Sequence, residues 1–341
     1  MIYIKRWLVF LLLIFIFILL IINVYKKDKK NIVIEKNLTE KEIEDYSEIS
    51  GITINVLIKS TGEVIAMDLN EYLRGVVPSE MPPSYDIEAL KAQAVVARTY
   101  TLKKITDNAH REDNVDICDS YAHCQAYYSD EKLREIWMRK GFDEQTITNN
   151  FNKVNIAVST TTNKVITYNG EYIKAFFHAS SPIKTEDVKE IWGNIQIPYL
   201  KSVSNVESDD YKNRYSRVEI DIHNFQNKIK SKIDNRYIYN KNVDIKINEY
   251  TDSNRVKSIS VNGTIINAEK LRTIFGLKST LFDIEIVDNK VVFNVTGYGH
   301  GVGMSQVGAN YLALNNKSYI DIIKYYYQGV EVTNIENTKK G

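Results

Sequence analysis

Only two cysteines and five prolines occur in this 341-residue chain, and neither sign of charge prevails: 44 Lys and Arg face 43 Asp and Glu, a net charge of +1. So even a balance gives no electrostatic reason to expect nucleic acid or another polyanion as partner. Neither a GxGxxG nor a GxxxxGK pattern is present, which removes the dinucleotide and phosphate-loop classes. There is no internal repeat and no convincing domain linker. Behind the apolar N-terminal run there is no small-residue A-x-A cleavage site, so the run is expected to stay uncleaved. The length itself allows two average domains or one large one with a substantial core.

What is present begins with that N-terminal run. From Trp7 to Tyr25 every residue but Asn23 is apolar or aromatic, long enough as a helix to match a hydrocarbon core of roughly 30 Å. The expectation is an uncleaved, single-pass transmembrane anchor at 7–25 after a short cytoplasmic N-terminus at 1–6. Lys5 and Arg6 precede it and Lys26, Lys27, Lys29 and Lys30 follow, so charge alone does not orient it. Residues 26–50, rich in Lys, Glu and Asn, read as a flexible tether. A large domain is expected over 51–332, with 333–341 as a C-terminal tail.

Within that domain, Ile52–Ile58 and Glu63–Met67 predict an opening hairpin turned at Gly62, and Asn70 caps a helix over Glu71–Val77 that Pro78 ends. A helix follows from Ile87 to Lys104, with Ser84, Asp86 and Glu88 at its start. Further helices are predicted at Asp130–Lys140 and Asp143–Thr161. Asn169-Gly170 joins Lys164–Tyr168 to Glu171–Phe177, the strongest short hairpin signal. β-rich runs from Val243 to Thr296, punctuated by Asn262-Gly263 and Asp288-Asn289, enclose a helix at Ala268–Phe275. Helices return at Ser305–Asn315 and Tyr319–Tyr327. Segregated hairpins and helices argue for α+β, with Asp209–Asn242 as a possible subdomain joint.

Three of the five prolines, Pro78, Pro82 and Pro83, stand around Glu80 in the run Gly75-Val76-Val77-Pro78-Ser79-Glu80-Met81-Pro82-Pro83. Proline fixes its own φ and biases the preceding residue, so the carboxylate has a rigid mount. Its apolar neighbours would raise its pKa and keep a proton available near neutral pH, as a general acid needs. A second constellation is Gly297-Tyr298-Gly299-His300-Gly301-Val302-Gly303-Met304-Ser305-Gln306, whose glycines permit positive φ and close ligand approach before a helix that Ser305 can cap. This loop is expected across a cleft from Glu80, with His300 and Gln306 on sugar hydroxyls or an acetamido group. The 23 tyrosines suit sugar faces as well as strands. Arg98, among the alanines of its helix, needs a partner or a substrate anion if buried. Cys118 and Cys124 are the only cysteines. With His123 between them and His110 upstream they fit either a disulfide or a tetrahedral Zn²⁺, and His178 and His300 are the alternatives should the cleft hold metal.

The block from Glu71 to Met81, the helix Ala89–Tyr100, Phe177-His178, Trp192-Gly193 and the loop Gly297–Gly308 together resemble the stage II sporulation protein D family, over about residues 51–332. The similar amidase-enhancer proteins share the domain. The resemblance implies a lytic transglycosylase that cuts peptidoglycan glycan strands, preferably peptide-stripped, during engulfment in endospore formation. It implies Glu80 as catalytic acid and base, and Arg98, Tyr127, Thr185, Glu186, His300, Ser305 and Gln306 as substrate-binding. It also implies a peptidoglycan amidase and a membrane protein of the engulfment machinery as partners, an extracytoplasmic location on the cell membrane, and no nucleic acid. The abundance of Lys, Ile and Asn suits a clostridial member, and resemblance to clostridial members implies a structural zinc at Cys118, Cys124, His123 and His110. The alternative is a non-catalytic glycan-binding scaffold or amidase enhancer. Ala179-Ser180-Ser181-Pro182-Ile183-Lys184-Thr185-Glu186 departs from the family's usual Ser-Gly-Gly-x-Thr, which predicts a stiffer cleft loop.

Overall fold

In a computed structural model, which describes residues 50–107, 114–193, 195–204, 206–208 and 211–339, the opening hairpin forms as β1 (Thr53–Ile58) and β2 (Glu63–Asp68), paired from Thr53↔Asp68 to Ile58↔Glu63. Asp68 rather than Asn70 caps the next helix, accepting from the Asn70 N–H, so α1 spans Leu69–Glu80. It also runs through Pro78 instead of stopping before it. Proline removes one N–H from a helix; here the Ser79 hydroxyl donates to the Gly75 carbonyl at 2.6 Å and the Met81 N–H to that of Val77 at 2.9 Å, keeping the last turn closed. Glu80 therefore ends a helix.

The central element is α2 (Ile87–Thr106), capped by Asp86. Ala89, Ala92, Ala94 and Ala97 are all buried, and such small side chains let neighbours approach on every side. Around it pack α1, α4 (Glu144–Ser159), β4 (Lys164–Tyr168) and, from the far end of the chain, α8 (Gln306–Leu314) and α9 (Tyr319–Tyr326). β3 (Ile117–Cys118) adds in parallel to β1, and α3 (Asp130–Arg139) buries Leu133 and Trp137. Asn169 and Gly170 both have positive φ, as a tight two-residue turn requires, but β5 is only Glu171–Tyr172. The expected extension instead becomes β6 (Phe177–His178), which pairs in parallel with β13 (Met304–Ser305). α5 (Val188–Trp192) follows, and β14 (Glu331–Asn334) closes this lobe against β4.

Residues 215–296 form a second lobe with its own core of Phe225, Ile259, Leu271, Phe275 and Phe293. β7 (Tyr215–Asp221) and α6 (Ile222–Lys232) lie where a joint was expected. β8 (Ile245–Tyr250), β9 (Val256–Val261) and β10 (Thr264–Asn267) make one antiparallel sheet. After α7 (Ala268–Phe275), β11 (Phe282–Val287) and β12 (Lys290–Thr296) complete another with β7. Buried polar groups join the lobes: Thr251 and Ser253 both donate to Glu186 Oε2, at 2.6 and 2.5 Å, and Arg255 donates to the Ser181 hydroxyl at 2.7 Å.

The expected fold class needs one correction. Among the described residues no helix is long and apolar enough to cross a membrane: α2, at 20 residues, carries five charged side chains and is sheathed by protein. The fold is α+β with mixed sheets. Residues 7–25, on which the expected span falls, lie outside the described residues.

Candidate functional site: an acid at the mouth of a cleft

Glu80 reaches its place through Gly75. A Cβ on Gly75 would stand 2.4 Å from the Tyr127 ring and 2.5 Å from the Tyr128 carbonyl, so only glycine lets segment 125–128 cross against α1. Tyr127 then stacks on Tyr72 with centroids 5.4 Å apart, and the Ala126 N–H donates to Glu80 Oε1 at 2.6 Å. Burial nevertheless pushes the Glu80 carboxyl up, to about 7, with the Ala126 bond opposing the shift. Its position at a helix C-terminus, where the dipole disfavours an anion, works in the same direction. The group is half-protonated near neutral pH and reachable from solvent.

It lines a cleft of about 990 Å³ that also contains His300 and Gln306. Glycines 297, 299, 301 and 303 all have positive φ, and a Cβ on Gly303 would lie 1.9 Å from the Phe176 carbonyl oxygen. That closeness is what lets β13 run beside β6 and brings the loop to the wall of the cleft. The Val302 N–H donates to His300 Nδ1 at 3.0 Å. Burial, then the cations of Arg272 and Arg255, pull the His300 imidazole down to about 3, so it is neutral. Gln306 donates to Gln93 at 3.3 Å. His178, an alternative metal ligand expected from the sequence, lines the same cleft, as do Phe176 and Trp192.

Other expected binding residues are placed elsewhere. Arg98 is wholly buried and donates to the carbonyls of Val158, Thr161 and Lys164 and to Asn70 Oδ1, at 2.8 to 3.3 Å. It neutralises the C-terminal end of α4 and does not line the cleft. Thr185 accepts from the Val203 N–H at 2.9 Å, and Glu186 ties the lobes as described. Ser305 caps α8 and donates to Glu207 Oε1 at 2.7 Å. Tyr127 is the stacking brace of the Ala126 segment. Glu207 went unread in the sequence, although it accepts from the Ser180 hydroxyl and Ser181 N–H at 2.5 and 2.6 Å and so holds the divergent Ser180-Ser181-Pro182 segment.

Cys118 and Cys124 bring their sulfurs to 3.2 Å as free thiols, and His123 lies on the cleft wall beside them. The Lys104 ammonium stands 3.9 Å from Cys124 Sγ, which opposes a dication there. Among the described residues no group of three His, Cys, Asp or Glu side chains is placed to hold a metal, and His110 lies outside them. The two thiols supply two of the four donors that a tetrahedral zinc takes.

Fold and cleft together define an α+β protein that presents one protonatable carboxyl on a rigid helix end. A profile described as "Stage II sporulation protein" matches residues 58–168. Stage II sporulation protein D of Bacillus subtilis is 34% identical over 288 residues, covering 83% of this chain and 80% of that one; its Bacillus amyloliquefaciens counterpart is 32% identical with 84% and 80% covered. The chain belongs to the stage II sporulation protein D family. It is also similar to the amidase enhancer of Bacillus subtilis, 26% identical over 310 residues, which span 76% of this chain and 40% of that protein.

Proposed function

We propose that this chain is a lytic transglycosylase of peptidoglycan glycan strands, acting during engulfment in endospore formation with Glu80 as both acid and base. The observation that carries the reading is a single half-buried carboxyl, held near neutral pKa, on the wall of a cleft of sugar-polymer size. The other acid on the wall, Asp107, is bound by Lys103 at 2.8 Å and open to solvent. A two-carboxylate hydrolase needs an opposed nucleophile or base; a transglycosylase does not. The Glu80 carboxylic acid protonates the glycosidic oxygen and the bond to the muramic anomeric carbon breaks. The C6 hydroxyl oxygen of the same sugar closes onto that carbon, its proton passes to the Glu80 carboxylate, and no water is consumed.

Lys104, which donates to the His123 carbonyl at 2.8 Å, and Lys174 also line the cleft, and among the described residues neither has a carboxylate within salt-bridge distance. They complement the lactyl carboxylates that muramic acid exposes once its peptide is removed, which suits strands prepared by an amidase. The relative named amidase enhancer supports a second reading, a non-catalytic glycan-binding partner of such an amidase, in which the cleft matters and the Glu80 proton does not. Turnover of peptide-free strands by wild type and by Glu80→Gln separates the two. The first reading expects a loss of about 10² to 10⁴ in rate with binding retained; equal turnover in the variant would remove it.

A further inference from the structure

The cleft wall carries an aromatic surface that the acid–base chemistry leaves unused. The Trp192 indole is 42% exposed, yet it is braced: its ring centroid lies 4.7 Å from Phe176 and 5.4 Å from His300. His300 in turn meets Phe176 edge-on at 6.2 Å. Three rings from three separate segments thus hold one another in a fixed shelf. Leaving an indole face in water is unfavourable, and immobilising it lowers the entropic penalty of binding a flat apolar partner. The shelf belongs to the same cavity as Glu80.

Next to the shelf lies an unpaired acceptor. The His178 ring is 5.8 Å from His300 and 4% exposed. Its Nδ1–H donates to the Val302 carbonyl at 3.2 Å, which leaves Nε2 as a lone pair, and among the described residues the buried Nε2 has no partner. The Val302 N–H meanwhile donates to Nδ1 of His300. One residue's peptide groups therefore fix both tautomers, and the shelf adjoins a ring whose Nε2 can accept from a hydroxyl or amide N–H.

We infer that Trp192, braced by Phe176 and His300, is the stacking platform for one pyranose ring of the bound glycan, with His178 Nε2 accepting from a polar group on that ring's edge. Sugars present such an amphipathic partner: an apolar C–H face for the indole and hydroxyl or acetamido groups around the rim. This rests on the glycan reading above and adds the residues that hold the sugar while Glu80 acts. Trp192 is a positioning residue and takes no part in proton transfer.

The test uses the full chain carrying Glu80→Gln, so that ligand is not consumed, titrated with a reduced, peptide-free tetrasaccharide of alternating N-acetylglucosamine and N-acetylmuramic acid. Trp137 is buried, so Trp192 is the exposed reporter among the described residues. The expected result is a shift of indole emission on binding, abolished by Trp192→Phe. Trp192→Ala should weaken binding roughly 3- to 10-fold, with Trp192→Phe recovering most of that loss. Melting curves check that each variant is folded; if Trp192→Ala is not, the Trp192→Phe emission change and its affinity decide alone. Unchanged affinity in Trp192→Ala, or an emission shift that survives Trp192→Phe, would overturn the platform while wild-type cleavage still supported the proposed reaction. Tight, Trp192-dependent binding without cleavage by wild type would keep the platform and overturn the reaction.

Discussion

The two lobes differ in how they handle charge, Arg255 at their junction aside. In residues 215–296 the ion pairs lie at the surface, as with Arg217–Glu219, Lys290–Glu219 and Lys246–Asp244, each at 2.9 Å between half-exposed or exposed side chains. The lobe bearing the cleft has surface pairs too, such as Lys132–Glu135, but it also encloses ionisable groups: Arg98 is fully enclosed, burial raises the Glu80 carboxyl to about 7, and His178 and His300 are driven to the neutral state. Burial of this kind costs stability unless each group is satisfied. Arg98 bonds backbone carbonyls and Asn70 through both terminal nitrogens, Glu186 ties the lobes through its carboxylate, and neither lines the cleft, so their burial is architecture. Glu80 and His178 are incompletely satisfied and stand on a cleft, so their burial is chemistry.

Substitution can break that contrast at several points. Glu80→Gln has the largest expected effect, and its sign on stability is opposite to its sign on rate. A carboxyl whose folded pKa is raised from 4.5 to about 7 destabilises the fold as pH climbs through that window, by at most about 3 kcal/mol above pH 7 and not at all below pH 4. The Gln variant should therefore be the more stable protein at pH 8, with the gain vanishing at pH 4 in denaturant titrations, while turnover collapses. In the wild type, kcat/KM should fall as pH rises past about 7. A flat profile there would remove the protonated acid from the reaction.

Arg98→Met comes next. Removing a guanidinium that satisfies three carbonyls and Asn70 should cost more than about 3 kcal/mol in thermal or chemical unfolding, at every pH from 5 to 8. If the variant kept wild-type stability and lost only glycan affinity, Arg98 would be a substrate residue after all. Cys118→Ser should cost about 1–2 kcal/mol, the ordinary penalty for disturbing a buried site. A much larger loss accompanied by loss of zinc in elemental analysis would mean that His110 and His123 complete a metal site around the thiols. Smallest of all is Arg217→Ala in the second lobe, which should stay within about 0.5 kcal/mol and leave turnover untouched, because exposed pairs are screened.

The same contrast explains what could be read in the sequence. Apolar periodicity and turn pairs such as Asn169-Gly170 place most elements correctly, since local chemistry decides them. Pro78 misled, because the turn beyond it is closed by the Ser79 hydroxyl on Gly75 and the Met81 N–H on Val77, and a helix passes where one was expected to stop. Glu80 was legible as a carboxylate among prolines in an apolar run. Arg98, Thr185 and Glu186 look the same in sequence whether they face ligand or join segments, and only their partners show that they join. The shelf of Phe176, Trp192 and His300 was not legible, because its members lie in separate segments that the β6–β13 pairing brings together.

The central claim is that Glu80 drives an intramolecular displacement rather than hydrolysis. Mass spectrometry of products from peptide-free glycan strands digested in ¹⁸O-labelled water tests it directly. The account predicts 1,6-anhydro-muramic ends without label from the wild type, and their formation slowed by about 10² to 10⁴ in Glu80→Gln. Reducing ends carrying ¹⁸O, or anhydro ends formed as fast by the variant, would contradict it.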